Sequence, residues 1–337
     1  MAKLEWGNPH KRRLYISYMT DWLLVIIMAA VFFAIDLIPP FHRDFSLTDK
    51  TIMFPYTEHE AVPIWSLAFI AFLAPIIIIG IISLGMQRSV HDFHVGVLGL
   101  CLGLSMTVML TDVIKITAGR ARPDMLARCK PPLDAVDPPL GLSNYTICTT
   151  DPSLHIMKDG FKSFPSGHSS FSFAGLGYLA LYIAGKMRMF DERGHTYKGF
   201  IFSFPAIGAL LIAISRTRDY RHHWQDVFIG SLLGSACAYF AYRQYYPSLG
   251  HAHCHSAFEA RLCPGDYNNI VASQEEGIGF SSRLRSAGAD ASQITDSSTF
   301  AHSSDFRLQN TSRFQVDLGN GTSSAGQVEA FEHANKT

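Results

Sequence analysis

Long apolar runs alternate with polar links along the chain as far as residue 245. The clearest run, residues 64–84, holds no charged side chain. It is long enough to cross a bilayer, because a helix needs about 20 apolar residues to span the hydrocarbon core. Five further runs are mostly apolar, at residues 22–38, 93–114, 169–185, 200–214 and 227–242. The pattern predicts an all-α fold, a bundle of six transmembrane helices.

The polar ends of the chain bound this region. Residues 1–21 are too polar for a secretory signal peptide, so we expect the first run to remain as a membrane anchor. Residues 22–246 are predicted to form the membrane domain. Residues 247–337 are rich in Ser, Asn and Gly, which predicts a disordered cytoplasmic tail. The His and Cys residues near the start of the tail fit no standard metal-site spacing, and a plain polar segment is the favoured interpretation.

Charge gives an orientation for the bundle. The chain has 28 Lys and Arg against 28 Asp and Glu, so no net charge favours nucleic acid as a partner. Six helices place both termini on one side, together with the basic link 186–198, and the positive-inside rule makes that side cytoplasmic. The loops 39–63, 115–166 and 216–226 then share the lumenal or extracellular face. The sequence does not choose between the endoplasmic reticulum, Golgi, vacuole and plasma membrane, and it leaves the oligomeric state open.

Three polar clusters lie at helix ends on that second face, at residues 115–123, 165–170 and 215–226. A charged, imidazole-rich stretch beside a membrane helix is costly unless it has a function. Guanidinium groups match phosphate oxygens, and a helix N-terminus preceded by glycine and hydroxyl groups favours an anion. Each cluster alone fits an ordinary solvated helix end. Because the topology brings all three to one membrane surface, we predict a phosphate-sized site with two imidazoles.

The clusters resemble, without a substitution, the signature of the type-2 phosphatidic acid phosphatases, which are integral-membrane lipid phosphate phosphatases. The signature is Lys, six residues, Arg-Pro; then Pro-Ser-Gly-His; then Ser-Arg, five residues, His, three residues, Asp. It falls here on Lys115 to Arg122-Pro123, Pro165 to His168, and Ser215-Arg216 through His222 to Asp226. Within the family, the chain looks most like the fungal diacylglycerol pyrophosphate phosphatases. The resemblance covers residues 15–245 and leaves the tail unexplained.

The resemblance and the chemistry of the side chains imply a role for each residue. The phosphate would be bound by Lys115, Arg122, Ser166, Gly167 and Arg216. His222 would attack phosphorus and form a phosphohistidine. Asp226 would accept a hydrogen bond from the other ring nitrogen of His222. His168 would protonate the leaving oxygen and then activate water.

Neighbouring groups are given secondary roles. His223 is a rival for His222, since chain geometry alone does not exclude it. The auxiliary surface or headgroup contacts are expected to be Arg120, Arg218 and Arg221, and the structural charge partners Asp112 and Asp124. A cationic phosphate site lacks the carboxylates that bind Mg²⁺. We therefore expect no metal or other cofactor, and activity that survives chelation.

The implied function is magnesium-independent hydrolysis of phosphatidate, diacylglycerol pyrophosphate and related lipid phosphates at the bilayer. Phosphatases of polyprenyl diphosphates or of glucose phosphate would use the same pocket. A vanadium haloperoxidase is disfavoured by the membrane runs. A non-catalytic lipid-binding protein or transporter is disfavoured by the complete signature.

Two features of the loop 115–166 fit a lumenal or extracellular face. Cys129 and Cys148 are both in this loop and could pair in an oxidising compartment. Asn144 begins an Asn-Tyr-Thr sequon, which is a glycosylation acceptor in a lumen.

Overall fold

The computed structural model describes residues 9–259 and Arg261, with side chains from Ile16 onward. Within this part the protein is all-α, and its β-structure is limited to one isolated bridge between Phe45 and Ser143. The start of the predicted N-terminal lead, residues 1–8, lies outside the described residues. So does most of the predicted tail, residue 260 and residues 262–337.

The apolar runs of the sequence form the long helices. In chain order the helices are α1 (Pro9–Asp36), α2 (Ile64–Met86), α3 (Val90–Ala118), α4 (Met125–Cys129), α5 (His155–Gly160), α6 (Gly167–Lys186), α7 (Thr196–Arg218) and α8 (Trp224–Tyr245). Two stretches of α2 are π-helical, and 3-10 turns occupy Lys50–Ile52 and Tyr145–Ile147. The long helices extend beyond the apolar runs because polar residues at their ends continue the helical turns.

Four of the described helices are long and apolar enough to cross a membrane, namely α1 from Ile16, α2, α3 and α7. The chain is therefore an integral membrane protein, and these four candidate spans leave two of the six predicted spans unconfirmed. The remaining long helices, α6 and α8, have 20 and 22 residues. Neither has the combination of length and mean hydropathy that marks the other four, and Ser169, Ser170 and Ser172 of α6 are buried.

The helices α6 and α8 pack with their backbones in contact. A Cβ atom added at Gly234 of α8 would lie 2.1 Å from the carbonyl oxygen of Ser170. One added at Gly230 would lie 2.6 Å from the carbonyl oxygen of Ser166. Small residues allow such close approach of membrane helices. The packing therefore holds the N-termini of α6 and α8 side by side, and these carry the second and third polar clusters.

The other end of the bundle is closed by a buried ion pair. Lys186 donates to Asp92 at 2.6 Å, and the Tyr182 hydroxyl donates to the same carboxylate. Residues 247–259, which the sequence assigns to the tail, pack against this end. The Phe258 amide donates to the Tyr245 carbonyl at 2.9 Å, and Lys186 also donates to the His255 carbonyl.

The loops before α2 and before α6 meet over the N-termini of α6 and α8. The Phe41 amide donates to the Ile116 carbonyl at 2.8 Å, and the Phe54 amide donates to the Pro123 carbonyl at 3.0 Å. A disulfide joins Cys129 to Cys148 across the second of these loops. These contacts bring the first loop over the three polar clusters.

Candidate active site

Main-chain hydrogen bonds join the three polar clusters. The Arg122 amide donates to the Gly160 carbonyl at 2.9 Å, and the Ser163 amide donates to the Arg120 carbonyl at 3.1 Å. These bonds tie the first cluster to the segment that leads into the second. The Ser166 amide donates to the Asp226 carbonyl at 3.0 Å, which ties the second cluster to the third. The relative positions of the clusters are therefore set by the backbone.

The ammonium group of Lys115 lies against the start of α6. Lys115 is in the last turn of α3, and a Cβ atom added at Gly167 would lie 3.1 Å from its Nζ. Gly167 is the first residue of α6, where backbone amides lack helical partners and the helix dipole favours an anion. A cation and a helix N-terminus thus face the same small volume.

Arg122 is held by a buried ionic network. Its Nη2 donates to Asp159 at 2.6 Å, and the other Asp159 oxygen accepts from Arg128 at 3.0 Å. Burial lowers the pKa of Arg122, and Asp159 opposes that shift. Burial raises the pKa of Asp159, but Arg122 and Arg128 outweigh it and bring the pKa to about 2. Asp159 therefore stays ionised and fixes the Arg122 guanidinium in place.

Arg216 is almost fully buried, with 1% of its surface exposed. Its Nη1 donates to Glu60 at 2.9 Å and its Nη2 to Asp219 at 3.2 Å. Its Nε donates to the Ser215 hydroxyl. The guanidinium is therefore fixed on three sides, and Glu60, from the first loop, is one of its partners.

The ring of His222 is oriented by a carbonyl group. Its Nδ1 lies 2.7 Å from the Ser163 carbonyl oxygen. A carbonyl only accepts, so the proton is on Nδ1 and Nε2 keeps its lone pair. Burial lowers the pKa of His222 well below 6.5, and Arg122 and Lys115 lower it further. The ring is therefore a neutral imidazole with a free nucleophilic nitrogen.

Asp226 is fully buried, but its carboxylate does not bond to the ring of His222, which is the partner that the sequence predicts. Its carboxylate accepts from Arg120 at 2.7 Å, from the Ser163 hydroxyl at 2.6 Å and from the His223 amide at 3.0 Å. The side chain turns back to cap α8, which points it to His223. Asp226 thus reaches His222 indirectly, because it holds the serine whose carbonyl orients the ring.

This arrangement also changes the interpretation of two neighbours. Arg120, expected to be an auxiliary contact, forms the ion pair with Asp226. His223, the rival nucleophile, lies at the N-cap of α8 with its Nδ1 3.2 Å from Asp226. Both residues support Asp226 in this structure.

His168 is in the first turn of α6 and faces the first loop. Its Nε2 lies 3.1 Å from the Val62 carbonyl, so this nitrogen carries a proton, and it lies 3.9 Å from Glu60. The buried Ser166 hydroxyl accepts a hydrogen bond from the Ser169 hydroxyl. The second cluster therefore supplies an imidazole and a hydroxyl on the same helix turn.

The remaining predicted residues divide between buried and exposed positions. Arg221 is buried, stacks on Tyr56 and lies 3.3 Å from Glu60, whereas the Arg218 side chain is 70% exposed. Asp124 pairs with Arg128 at 2.9 Å. Asp112 is buried, and its Oδ2 has no hydrogen-bond partner among the described residues.

Sequence reasoning missed three residues of the site: Ser163, Asp159 and Glu60. Ser163 is three residues before Ser166, but it acts through its carbonyl, which leaves no mark in a sequence. Asp159 is in the short helix α5 and Glu60 is in the first loop, and neither segment has an apolar pattern that predicts its path. Among the described residues, no group of three or more His, Cys, Asp or Glu residues is placed to hold a metal ion.

The chain is similar to known phosphatases over most of its described length. A family model described as the PAP2 superfamily matches residues 96–249. Lipid phosphate phosphatase 2 of Arabidopsis thaliana is 39% identical over 68% of this chain and 78% of its own length. Diacylglycerol pyrophosphate phosphatase 1 of Saccharomyces cerevisiae is 38% identical over 68% of this chain and 80% of its own length.

A third relative aligns over a larger share of its length. The probable diacylglycerol pyrophosphate phosphatase 1 of Schizosaccharomyces pombe is 37% identical over 77% of this chain and 92% of its own length. No solved structure matches the chain. The residues that the family model matches include all three clusters of the site. From these clusters and from the extent of the alignments, the chain belongs to the PAP2 superfamily.

Proposed function

We propose that the protein is a magnesium-independent lipid phosphate phosphatase that works through a phosphohistidine. The observation that carries the proposal is the His222 ring, which is neutral and presents a free Nε2 beside buried cations. The cations Lys115, Arg122 and Arg216 would neutralise the phosphate oxygens of the substrate. The Ser166 hydroxyl and the Gly167 amide would add hydrogen bonds.

In the first step, Nε2 of His222 forms a bond to phosphorus and the ester P–O bond breaks. The negative charge of the bound phosphate offsets the nearby cations, so that His168 takes up a second ring proton. The resulting imidazolium gives this proton to the leaving oxygen, which departs as diacylglycerol when the substrate is phosphatidate, and His168 is left neutral. The His222 ring becomes positively charged on phosphorylation, and the Ser163 carbonyl stabilises its Nδ1 proton. Asp226 supports this step by holding Ser163.

In the second step, water attacks phosphorus and the P–N bond breaks. His168, now deprotonated, takes the proton from water, and inorganic phosphate is released. No metal ion is required for charge neutralisation. The nearby carboxylates of Asp226 and Asp159 are each paired with arginine, and Mg²⁺ would need carboxylate oxygens free to bind it.

The membrane setting favours an amphiphilic substrate. The site lies at one end of apolar helices, so a lipid headgroup can enter from the aqueous side while its acyl chains stay in the bilayer. The relatives are named for lipid phosphates and for diacylglycerol pyrophosphate. Phosphatidate and diacylglycerol pyrophosphate are the substrates we propose, with polyprenyl diphosphates as the second candidate.

We also propose that α6 and α8 span the membrane, giving six spans. Both helices run between the same two ends of the bundle as α3 and α7, and Ser169, Ser170 and Ser172 of α6 are buried in its interior. The site would then lie on the lumenal or extracellular face. The disulfide between Cys129 and Cys148 supports this face, because disulfides persist in oxidising compartments.

The test is phosphate release by the purified protein in detergent micelles. Phosphatidate, diacylglycerol pyrophosphate, a polyprenyl diphosphate and glucose phosphate are each supplied with and without EDTA. We expect release from the lipid phosphates at equal rates in both conditions. Loss of activity in EDTA that returns with magnesium would contradict the proposed mechanism.

Two single variants assign the nucleophile. His222→Ala should lower kcat by about a thousandfold or more, because the attacking group is removed. His223→Ala is the matched control. It removes the adjacent imidazole but keeps the backbone amide that donates to Asp226, so it should retain most of the activity. Trapping with radiolabelled substrate should give an acid-labile phosphoenzyme in the wild type and none in His222→Ala. An equally active His222→Ala protein would place the nucleophile elsewhere.

A further inference from the structure

A segment of the first loop lies directly on the proposed catalytic residues. This segment, residues 54–62, is named the strap. Its Thr57 carbonyl accepts from Arg221 at 2.7 Å, and its Ala61 amide donates to Asp219 at 2.7 Å. The strap is therefore held by residues of the third cluster and not only by its own loop.

Within the strap, Glu60 occupies a position of strong positive potential. One of its oxygens lies 2.9 Å from Nη1 of Arg216 and 3.9 Å from Nε2 of His168. The other lies 3.3 Å from Nη2 of Arg221. Two guanidinium groups and an imidazole around one carboxylate form the kind of environment that a phosphate group would also seek.

If the Glu60 carboxylate and a substrate phosphate both occupied this environment, the free energy of binding would become much less favourable. Two anions a few ångströms apart in a partly buried site repel each other strongly. Glu60 is only partly exposed, with 26% of its side-chain surface accessible, so water screens little of that repulsion. One of the two anions must therefore give way when the other binds.

We propose that Glu60 is an internal competitor of the substrate phosphate, so that it sets the affinity of the site for phosphate groups. This proposal rests on the proposed function, because it takes Arg216 as a phosphate ligand. Substrate binding displaces Glu60 from Arg216 and Arg221 and lifts the strap. The same movement releases Nε2 of His168 from the Val62 carbonyl, so that the imidazole can serve the reaction.

The return of Glu60 has a consequence at the end of the cycle. Inorganic phosphate, the second product, is bound by the same cations as the substrate. A carboxylate attached to the protein is always present at high effective concentration, so it competes with the product for Arg216. Glu60 would therefore weaken product inhibition at the expense of substrate affinity.

Kinetics of two matched variants test the proposal. Glu60→Gln removes the charge and keeps the shape, whereas Glu58→Gln removes an exposed charge two residues away in the same strap. For Glu60→Gln, we expect KM for phosphatidate and Ki for inorganic phosphate to fall by about fivefold, the effect of losing one partly exposed ion pair. We expect any fall in kcat to be no larger, as a ratio, than the fall in KM and Ki. Glu58→Gln should match the wild type in kcat, KM and Ki.

A higher or unchanged KM and Ki in Glu60→Gln would overturn the proposal. A rise would show that Glu60 positions Arg216 for the substrate. Lower values in both variants would also overturn it, because they would reflect general charge in the loop and not the contact with Arg216.

A measurement on the unmodified protein covers the case in which Glu60→Gln fails to fold. Amide hydrogen exchange of residues 57–62 is followed with and without inorganic phosphate. Faster exchange with phosphate is expected, because the strap loses its contacts, and slower or unchanged exchange would overturn displacement. Wild-type protein that releases no phosphate from any lipid would instead refute the proposed function, while this exchange experiment would still decide the role of Glu60.

Discussion

At the scale of single residues, burial decides the charge of His222. The ring is 5% exposed and lies near Arg122 and Lys115, so its pKa is lowered. A nucleophilic nitrogen must be unprotonated, and the burial supplies that state near neutral pH. The same burial links the stability of the protein to pH.

The sign of this linkage gives the first prediction. In the unfolded chain His222 binds a proton as pH falls through about 6.5, whereas in the folded protein it does not. The unfolded state then binds more protons, so the free energy of unfolding falls as the solution becomes acidic. Scanning fluorimetry in detergent from about pH 7.5 to about pH 5.5 should show a smaller loss of apparent Tm for His222→Asn than for the wild type.

The control for this experiment is His59→Asn, which changes an exposed histidine of the first loop. It should leave the acid sensitivity of the wild type unchanged. If His222→Asn and the wild type lose the same apparent Tm on acidification, His222 is not a neutral buried group.

The second prediction concerns the contact between Lys115 and Gly167. In Gly167→Ala the new methyl group would lie 3.1 Å from Nζ of Lys115, and the flexible end of the lysine would move away. Because Lys115 is a proposed phosphate ligand, its displacement should lower kcat/KM by about tenfold, with little change in apparent Tm. Gly177→Ala is the matched control on the same helix, because its methyl group would meet the nearest atom at an ordinary 3.7 Å. Equal activity of the two variants would contradict the placement of Lys115.

At the scale of elements, the packing of α6 against α8 carries the site. The apolar runs at residues 169–185 and 227–242 predict that both helices exist. It does not predict that they are central, since their serines and glycines lower the hydropathy that marks a span. The sequence does not show why Gly230 and Gly234 are needed. In the structure they face the carbonyl oxygens of Ser166 and Ser170, where a side chain would not fit.

The third prediction tests this contact. Gly234→Ala would place a methyl group 2.1 Å from the Ser170 carbonyl oxygen, and backbone atoms there cannot move independently. The helices must separate, and we expect a loss of about 1–3 kcal/mol in the free energy of unfolding, together with reduced activity. Apparent Tm in detergent and phosphate release measure the two effects. Ser235→Ala, at an exposed position one residue away, should change neither. A stable and active Gly234→Ala protein would contradict the close packing.

At the scale of the whole molecule, the loops on the site face are fixed by a few long-range contacts. The sequence predicts which loops share a face, because successive membrane helices alternate in direction. It does not predict that the strap covers His168 or that Asp226 bonds to Ser163. Those contacts depend on loop paths and on main-chain atoms, neither of which has a hydrophobic pattern. The sequence therefore predicts which side chains lie in the three clusters, but it does not predict the connections between those side chains.

The fourth prediction concerns the disulfide between Cys129 and Cys148, in the loop before α6. Purified protein denatured and digested without reductant should yield the Cys129 and Cys148 peptides joined in one mass, which separates on reduction. Replacing both cysteines by serine should lower the free energy of unfolding by about 3 kcal/mol, because the unfolded loop gains entropy. Cys101→Ser, which changes a free thiol of α3, is the control and should keep the joined peptides. Two free thiols at Cys129 and Cys148 would contradict the pairing.

The hydrogen bond from His222 to the Ser163 carbonyl has a consequence for how this protein tolerates mutation. Every amino acid supplies the same carbonyl group, so no codon change at position 163 can delete the acceptor. A saturation screen at this position would report on the hydroxyl that Asp226 holds, and would not detect the atom that orients the proposed nucleophile. This contact is therefore inherited with the path of the chain and not with the identity of the side chain at position 163.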